Sequence, residues 1–235
     1  MKLLDIPFDD RRRRYLVFHA NGLPDKLALA STTTTAQFEA IGSSRFFVSR
    51  DGKLLAKVVP DKFRKAQAPL KWLLRDYIEK RWLAQCDARK EYNSLRILRR
   101  AGLATPRCHG WGLSLNPGNR NASLLLMEQV HDARPGGEVF KEMSEANRIA
   151  FLERFCAEVI QLAHTGYVHR DLHYNNLLLT KDEELIWVDS HVRRLPTKIA
   201  DQWPAISSMF TKNKLNGEKY KKHVEELAHA SWFRN

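Results

Sequence analysis

Apolar and polar positions change period several times along the chain, and each change predicts an element. Over residues 37–59 the pattern is that of strands. Apolar-rich runs at 38–41 and 46–49 flank Gly42-Ser43-Ser44-Arg45. Asp51-Gly52, a strong hairpin signal, then leads into Leu54-Leu55-Ala56-Lys57-Val58-Val59. A three-strand antiparallel meander is expected, with Leu55, Lys57 and Val59 on one face of its last strand. Residues 61–83 mix cations (Lys62, Arg64, Lys65, Lys71, Arg75, Lys80, Arg81) with aromatics, and Pro69 should divide them into two helical pieces. A helix follows over 84–101, where Ala84, Ala88, Leu95 and Leu98 share a face and Gly102 caps the end. Glu91 falls inside that apolar stripe. A buried carboxylate without a counter-charge is costly, so Glu91 requires a cationic partner.

Residues 123–127 read as a buried strand, and 128–138, with Pro135-Gly136-Gly137, as a loop. A long amphipathic helix over 145–165 repeats Ile149, Leu152, Phe155, Val159 and Leu162 at helical spacing and stops at Gly166. Two short apolar strands, 176–179 and 185–188, come next, and the chain beyond Pro196 is mostly helical and basic. Residues 1–36 are mixed, with a basic run at Arg11-Arg12-Arg13-Arg14 and a polar loop at 31–35. No repeat of fixed period is present.

Composition narrows the class. At 235 residues and 43% apolar, the chain can bury a sizeable core, which excludes wholesale disorder, collagen and coiled coil. Cys86, Cys108 and Cys156 lie far apart, which disfavours a disulfide framework or zinc ribbon and suits a reducing compartment. No apolar run approaches the roughly 18 residues of a membrane span. Asp5, Asp9 and Asp10 stand where a signal peptide needs its apolar stretch. A cytoplasmic protein, soluble or peripheral on the membrane, is therefore expected. Its net charge of +12 points to an anionic partner: nucleic acid, nucleotide or anionic membrane.

The strongest chemical signal is His169-Arg170-Asp171-Leu172-His173-Tyr174-Asn175-Asn176. It matches H-R-D-L-x-x-x-N, the catalytic loop of protein kinases, and sits between a long helix and a short hairpin. Phosphoryl transfer needs an in-line alcohol and a neutralised triphosphate. Asp171 would orient the acceptor hydroxyl and take its proton. Asn176 would ligate magnesium through its amide oxygen, and Asp189, 18 residues after Asp171, would be the main metal ligand. Upstream, Lys57 would bind the α and β phosphates of ATP, with Glu91 as its natural partner. Gly42 lies where a phosphate-covering turn belongs, and Glu128 to Val130 where a hinge backbone would meet adenine. The chain order (turn, Lys, Glu, hinge, Asp/Asn, Asp) is that of kinases throughout.

More narrowly, the sequence resembles the bacterial lipopolysaccharide core kinases, which phosphorylate heptose or Kdo sugars. The likeness rests on the compact chain, the long basic, aromatic segment ending in Ala88-Arg89-Lys90-Glu91-Tyr92, and the run from Leu98 to Pro106. The resemblance implies an α+β, bilobal, protein-kinase-like fold. An N-terminal lobe over 1–129 would hold a small antiparallel sheet and the basic helical insertion at 61–83. A compact helical catalytic lobe would span 130–235. It further implies ATP, Mg2+ and a sugar hydroxyl of lipid-borne core oligosaccharide as acceptor, at the cytoplasmic face of the inner membrane.

The chain also departs from kinase pattern. Asp189-Ser190-His191 replaces D-F-G, no A-P-E follows, and 46 residues remain after Asp189. A large peptide-docking lobe and a regulated activation loop are therefore not expected. Leu55 stands where kinases place the Ala that packs on adenine, and Gly42 fits a plain hairpin glycine nearly as well as a phosphate contact. Lys57 alone would read as a snorkelling surface lysine. Its companions make the nucleotide reading the stronger. Residues 61–83 suit either a solvated basic helix or docking to an anionic membrane. Two other functions stay open: a compact atypical protein kinase and a basic pseudokinase scaffold. No recognised nucleic-acid motif appears.

Overall fold

Leu4 and Ile6, Tyr15 and Val17, Ala56 and Val58, and Leu124 and Leu126 are each spaced two apart, and all are fully buried. That alternation builds the interior of a β-barrel, where Phe47 and Leu29 join them. The computed structural model describes residues 1–8, 11–20, 22–24, 27–32 and 44–234. They form two compact units, Met1–Asn93 with Pro106–Val130, and Ser94–Thr105 with His131–Asn235.

The first unit holds β1 (Lys2–Phe8), β2 (Arg11–Phe18), β3 (Leu29–Ala30), β4 (Arg45–Ser49) and β5 (Leu54–Val59), with β6 (Cys108–Leu113) and β7 (Ser123–Glu128) after a helical stretch. They close in the order β1-β2-β6-β7-β5-β4-β3. The expected small sheet is thus larger than its sequence pattern suggested. β1, β2, β3 and β6 were not anticipated, and the expected strand at 38–41 lies outside the described residues. Pro69 does not divide a helix. It opens one, α1 (Pro69–Lys71), at the position where its missing N–H costs nothing, and the winding widens to a π-helix over Trp72–Trp82. The next helix, α2 (Asp87–Arg100), starts later than expected, and Ala84 stands before it with φ +54°.

In the second unit, 128–138 is not all loop: it contains β8 (Ala133–Pro135) and leads into α3 (Gly136–Glu142). The paired glycines hid that helix. A Cβ on Gly136 would stand 2.8 Å from the carbonyl oxygen of Tyr174, so glycine lets α3 approach the loop after Leu172. α4 (Glu145–His164) is capped by Ser144, whose Oγ accepts from the Asn147 N–H at 3.3 Å. Leu152, Phe155, Val159 and Leu162 are buried as expected, whereas Ile149 is half-buried. β9 (Tyr167–His169), β10 (Leu177–Thr180), β11 (Leu185–Trp187), β12 (Val192–Arg194), α5 (Ile199–Ser207) and α6 (Glu218–Trp232) complete the unit. Phe140, Phe151, Phe155 and Trp187 surround Tyr174 or one another in its core. The three cysteines are free thiols. Among the described residues no helix is long and apolar enough to cross a membrane.

Candidate active site

Two constellations gather the chemistry-bearing residues, one in each unit. In the first, strand alternation sends Ala56 and Val58 into the barrel, so Lys57 points the opposite way. Glu91 sits on the buried stripe of α2 with Ala88 and Leu95. The Lys57 Nζ lies 3.1 Å from Oε1 and 2.9 Å from Oε2 of Glu91. Both side chains are almost fully buried, 7% and 3% exposed, so the carboxylate has the cation its position required.

β7 ends at Glu128. Its N–H donates to the Arg107 carbonyl at 2.8 Å, and the Gln129 N–H donates to the Lys53 carbonyl at 2.9 Å. Val130 follows, half-buried. Gly42 lies outside the described residues. Arg45, at the start of β4, is exposed and holds its guanidinium 5.1 Å above the Phe47 ring.

The second constellation is local to the chain after β9. His169 is buried, and its Nδ1 accepts from the Asp171 N–H at 3.2 Å. The Asn176 Nδ2 donates to the Asp171 carbonyl at 2.8 Å, which fixes the loop as a closed turn. The Asn176 carbonyl accepts from the Val188 N–H at 2.8 Å, so the β10–β11 hairpin delivers Asp189 next to Asn176. Asp189 adopts φ +46°, a left-handed conformation that Asp tolerates better than most residues.

Burial pushes the His169 imidazole down to about 4, so it is neutral at physiological pH. Its Nδ1 is then the acceptor and its buried Nε2 has no hydrogen-bond partner among the described residues. His173 is also held below its usual range, chiefly by burial, with the charges of Asp171, Lys214 and Asp189 felt at its ring.

The residue that sequence reasoning missed is Lys214. Its Nζ lies 2.8 Å from Oδ1 of Asp171, and this cation is the main cause holding the Asp171 carboxyl below its ordinary range. The turn carrying Lys214 is anchored. Leu215 and Phe210 are buried, and the Tyr174 hydroxyl donates to the Leu215 carbonyl at 3.3 Å. No local pattern marks Lys214, because its only relation to Asp171 is tertiary.

Asn176 and Asp189 supply hard oxygen donors suited to Mg2+, which keeps several water or phosphate ligands of its own. With the Asn176 amide nitrogen engaged by a carbonyl, Oδ1 is the atom that could ligate a cation. Among the described residues no group of three or more His, Cys, Asp or Glu forms a metal cluster. A phosphate-bound Mg2+ needs no such cluster.

The model of the lipopolysaccharide kinase (Kdo/WaaP) family matches residues 45–204. Among solved structures, the chain is similar to WaaP in complex with acyl carrier protein, with TM-score 0.52, 15% identity, and coverage of 84% of this chain and 82% of that one. It is similar also to the bifunctional kinase-methyltransferase WbdD, with TM-score 0.47 and 16% identity over 72% of this chain and 33% of that one. The PknI kinase domain of M. tuberculosis gives TM-score 0.41 and 12% identity over 74% of this chain and 70% of that one. No curated protein matches. The fold is protein-kinase-like, of mixed α and β elements.

Proposed function

The chain belongs to the lipopolysaccharide kinase (Kdo/WaaP) family, and from that premise we propose that it transfers the γ-phosphate of ATP to a heptose or Kdo hydroxyl of the lipopolysaccharide inner core. The observation that carries the proposal is the buried Lys57–Glu91 pair. Two charges kept out of water gain little stability for the fold, and a phosphate-binding lysine gains a fixed direction from such a partner.

In this reading Lys57 meets the α and β phosphates and Glu91 positions it. The Glu128 carbonyl and the Val130 backbone meet adenine, and Gly42 covers the phosphates. Asn176 and Asp189 hold Mg2+, which when bound neutralises the triphosphate. Asp171 accepts a hydrogen bond from the acceptor hydroxyl and orients it in line. Lys214 holds the Asp171 carboxylate in place, and neutral His169 holds the Asp171 backbone. The acceptor is lipid-borne, so the protein works at the cytoplasmic face of the inner membrane.

The test is incubation with labelled ATP, magnesium, purified core lipopolysaccharide and, in parallel, protein acceptors. Label should enter the lipopolysaccharide, and Asp171→Ala, which removes the group that aligns the acceptor hydroxyl, should reduce the rate by about 10² or more while nucleotide binding persists. Label confined to protein would replace this reading with that of an atypical protein kinase. No transfer to any acceptor would leave the scaffold reading.

A further inference from the structure

The helix over Pro69–Lys71 and Trp72–Trp82 carries a surface that the proposed chemistry does not use. Its inner side is fixed by charge. Arg81, buried, donates through Nη1 and Nη2 to both carboxylate oxygens of buried Asp61 at 2.9 Å each, and also to the carbonyls of Asp76, Ser114 and Asn119. Asp76, buried too, accepts from the Lys62 and Phe63 N–H groups and pairs with Lys80 at 2.9 Å. These contacts turn both aspartates inward.

The outer side is apolar. Leu70 is 67% exposed, Leu73 41%, Leu74 55%, Ile78 39%, Trp82 77% and Leu83 57%. The winding explains how they form a stripe. At about 4.4 residues per turn, the pitch of i→i+5 bonding, Leu73, Leu74, Ile78 and Trp82 fall within an arc of about 80°. An α-helix would spread the same four over about 180°. The same segment exposes Arg64, Lys65, Lys71 and Arg75, and at that pitch Arg75 falls about 80° past Leu74, on the other flank of the exposed side. Lys65 lies 5.2 Å over the Trp72 ring, and Lys71 and Arg75 each 6.0 Å over Phe63. Of the two acids on the helix, Asp76 is buried and Glu79 half-buried.

We propose that this face binds the surface of an anionic phospholipid bilayer. Leu73, Leu74, Ile78 and Trp82 enter the boundary between headgroups and acyl chains, and Arg64, Lys65, Lys71 and Arg75 meet lipid phosphates. An apolar stripe of this exposure requires a cover. Four exposed cations on the same segment, with the aspartates withdrawn, select a negatively charged one. The inference gives the membrane location of the proposed function a specific surface and does not depend on the kinase chemistry.

The experiment is co-sedimentation of the full chain with vesicles of equal parts phosphatidylglycerol and phosphatidylcholine, against phosphatidylcholine alone. The wild type should bind the anionic vesicles and leave the neutral ones. Each cation contributes about fivefold, so Lys71→Glu with Arg75→Glu should weaken binding at least about thirtyfold. Leu73→Glu with Leu74→Glu should abolish it. Both variants should keep the wild-type circular dichroism and the wild-type rate of labelling delipidated core oligosaccharide. Vesicle binding by a wild type that phosphorylates nothing would keep the docking face and remove the kinase reading. Equal binding by wild type and both variants, or none by the wild type, would overturn the proposal. So would a wild-type dimer that Leu73→Glu with Leu74→Glu converts to monomer, because a second copy would then be the cover.

Discussion

Replacing Glu91 with Gln keeps the size and shape of the side chain and removes only its charge. Lys57 and Glu91 are 5% and 2% exposed, so water cannot take the place of the lost carboxylate. Removing one member of a buried ion pair costs about 3–5 kcal/mol. Gln retains one hydrogen-bond acceptor for the Nζ donor, which sets the expectation at the lower end, about 3 kcal/mol. Urea denaturation followed by circular dichroism reads this directly: the midpoint should fall with the slope unchanged. Lys57→Met combined with Glu91→Leu removes both charges and fills the volume with apolar atoms. Such replacements are neutral or stabilising, so the double variant should recover most of the lost stability. Under the proposed function it should nevertheless transfer no phosphate, which separates the structural cost of the pair from its use. A Glu91→Gln midpoint within error of wild type would refute the buried-pair reasoning. A double variant as unstable as the single would refute the charge argument and leave packing as the cause.

Three further outcomes follow from the second constellation and the helical platform. Lys214→Met should raise the Asp171 carboxyl toward its ordinary 3.8 and move the acid limb of the kcat/KM profile upward, with Lys214→Arg restoring it. An unmoved limb in Lys214→Met would remove Lys214 from the site. His169 is neutral when folded, down to about 4, and ordinary, near 6.5, when unfolded. The unfolded chain therefore binds the extra proton between those values, and stability should fall by up to about 3 kcal/mol as pH drops from 6.5 to 4. His173, shifted the same way, adds to that loss. Urea midpoints measured across this range should show the slope, and His169→Gln should flatten it. Arg81→Met strands the buried Asp61 carboxylate and should cost about 3–5 kcal/mol in the same melts.

The parts of the site that sequence exposed are those whose evidence is contiguous or whose pattern is broken. Asp171 and Asn176 sit in one octapeptide, and their mutual hydrogen bond closes over five residues. Glu91 was legible because a carboxylate inside an apolar stripe contradicts the stripe, and the contradiction has one cheap resolution. Where local signals oppose the final structure, reading failed. Four consecutive arginines mask β2, which among its described side chains buries Tyr15 and Val17, and the register with β1 sets Asp5 opposite Arg14. Gly110 and Gly112 lower the strand propensity of β6, yet a Cβ on Gly110 would stand 2.6 Å from the Phe18 carbonyl oxygen, so close pairing with β2 demands them. Lys214 could not be found at all. It lies in the tail, 43 residues from Asp171 and beyond the matched 45–204, and only folding brings the two together.

Lys214 also bears on what Asp171 can do. A general base works best with a pKa near the working pH. The lysine ammonium drives the Asp171 carboxyl the other way, below even the usual carboxylate range, and so makes it a weak base. Asp171 remains ionised across neutral pH and is well suited to accept a hydrogen bond. Phosphoryl transfer through a loose transition state asks for little proton removal before the bond to phosphorus forms, and for much alignment of the hydroxyl. A carboxylate pinned by Lys214 on one side and by the His169 contact to its own N–H on the other meets that demand. The lysine charge would also, under the proposed function, stand near the acceptor, where an incoming phosphoryl group carries negative charge. Under the proposed function, then, alignment and charge neutralisation supply the rate, and proton abstraction supplies little of it.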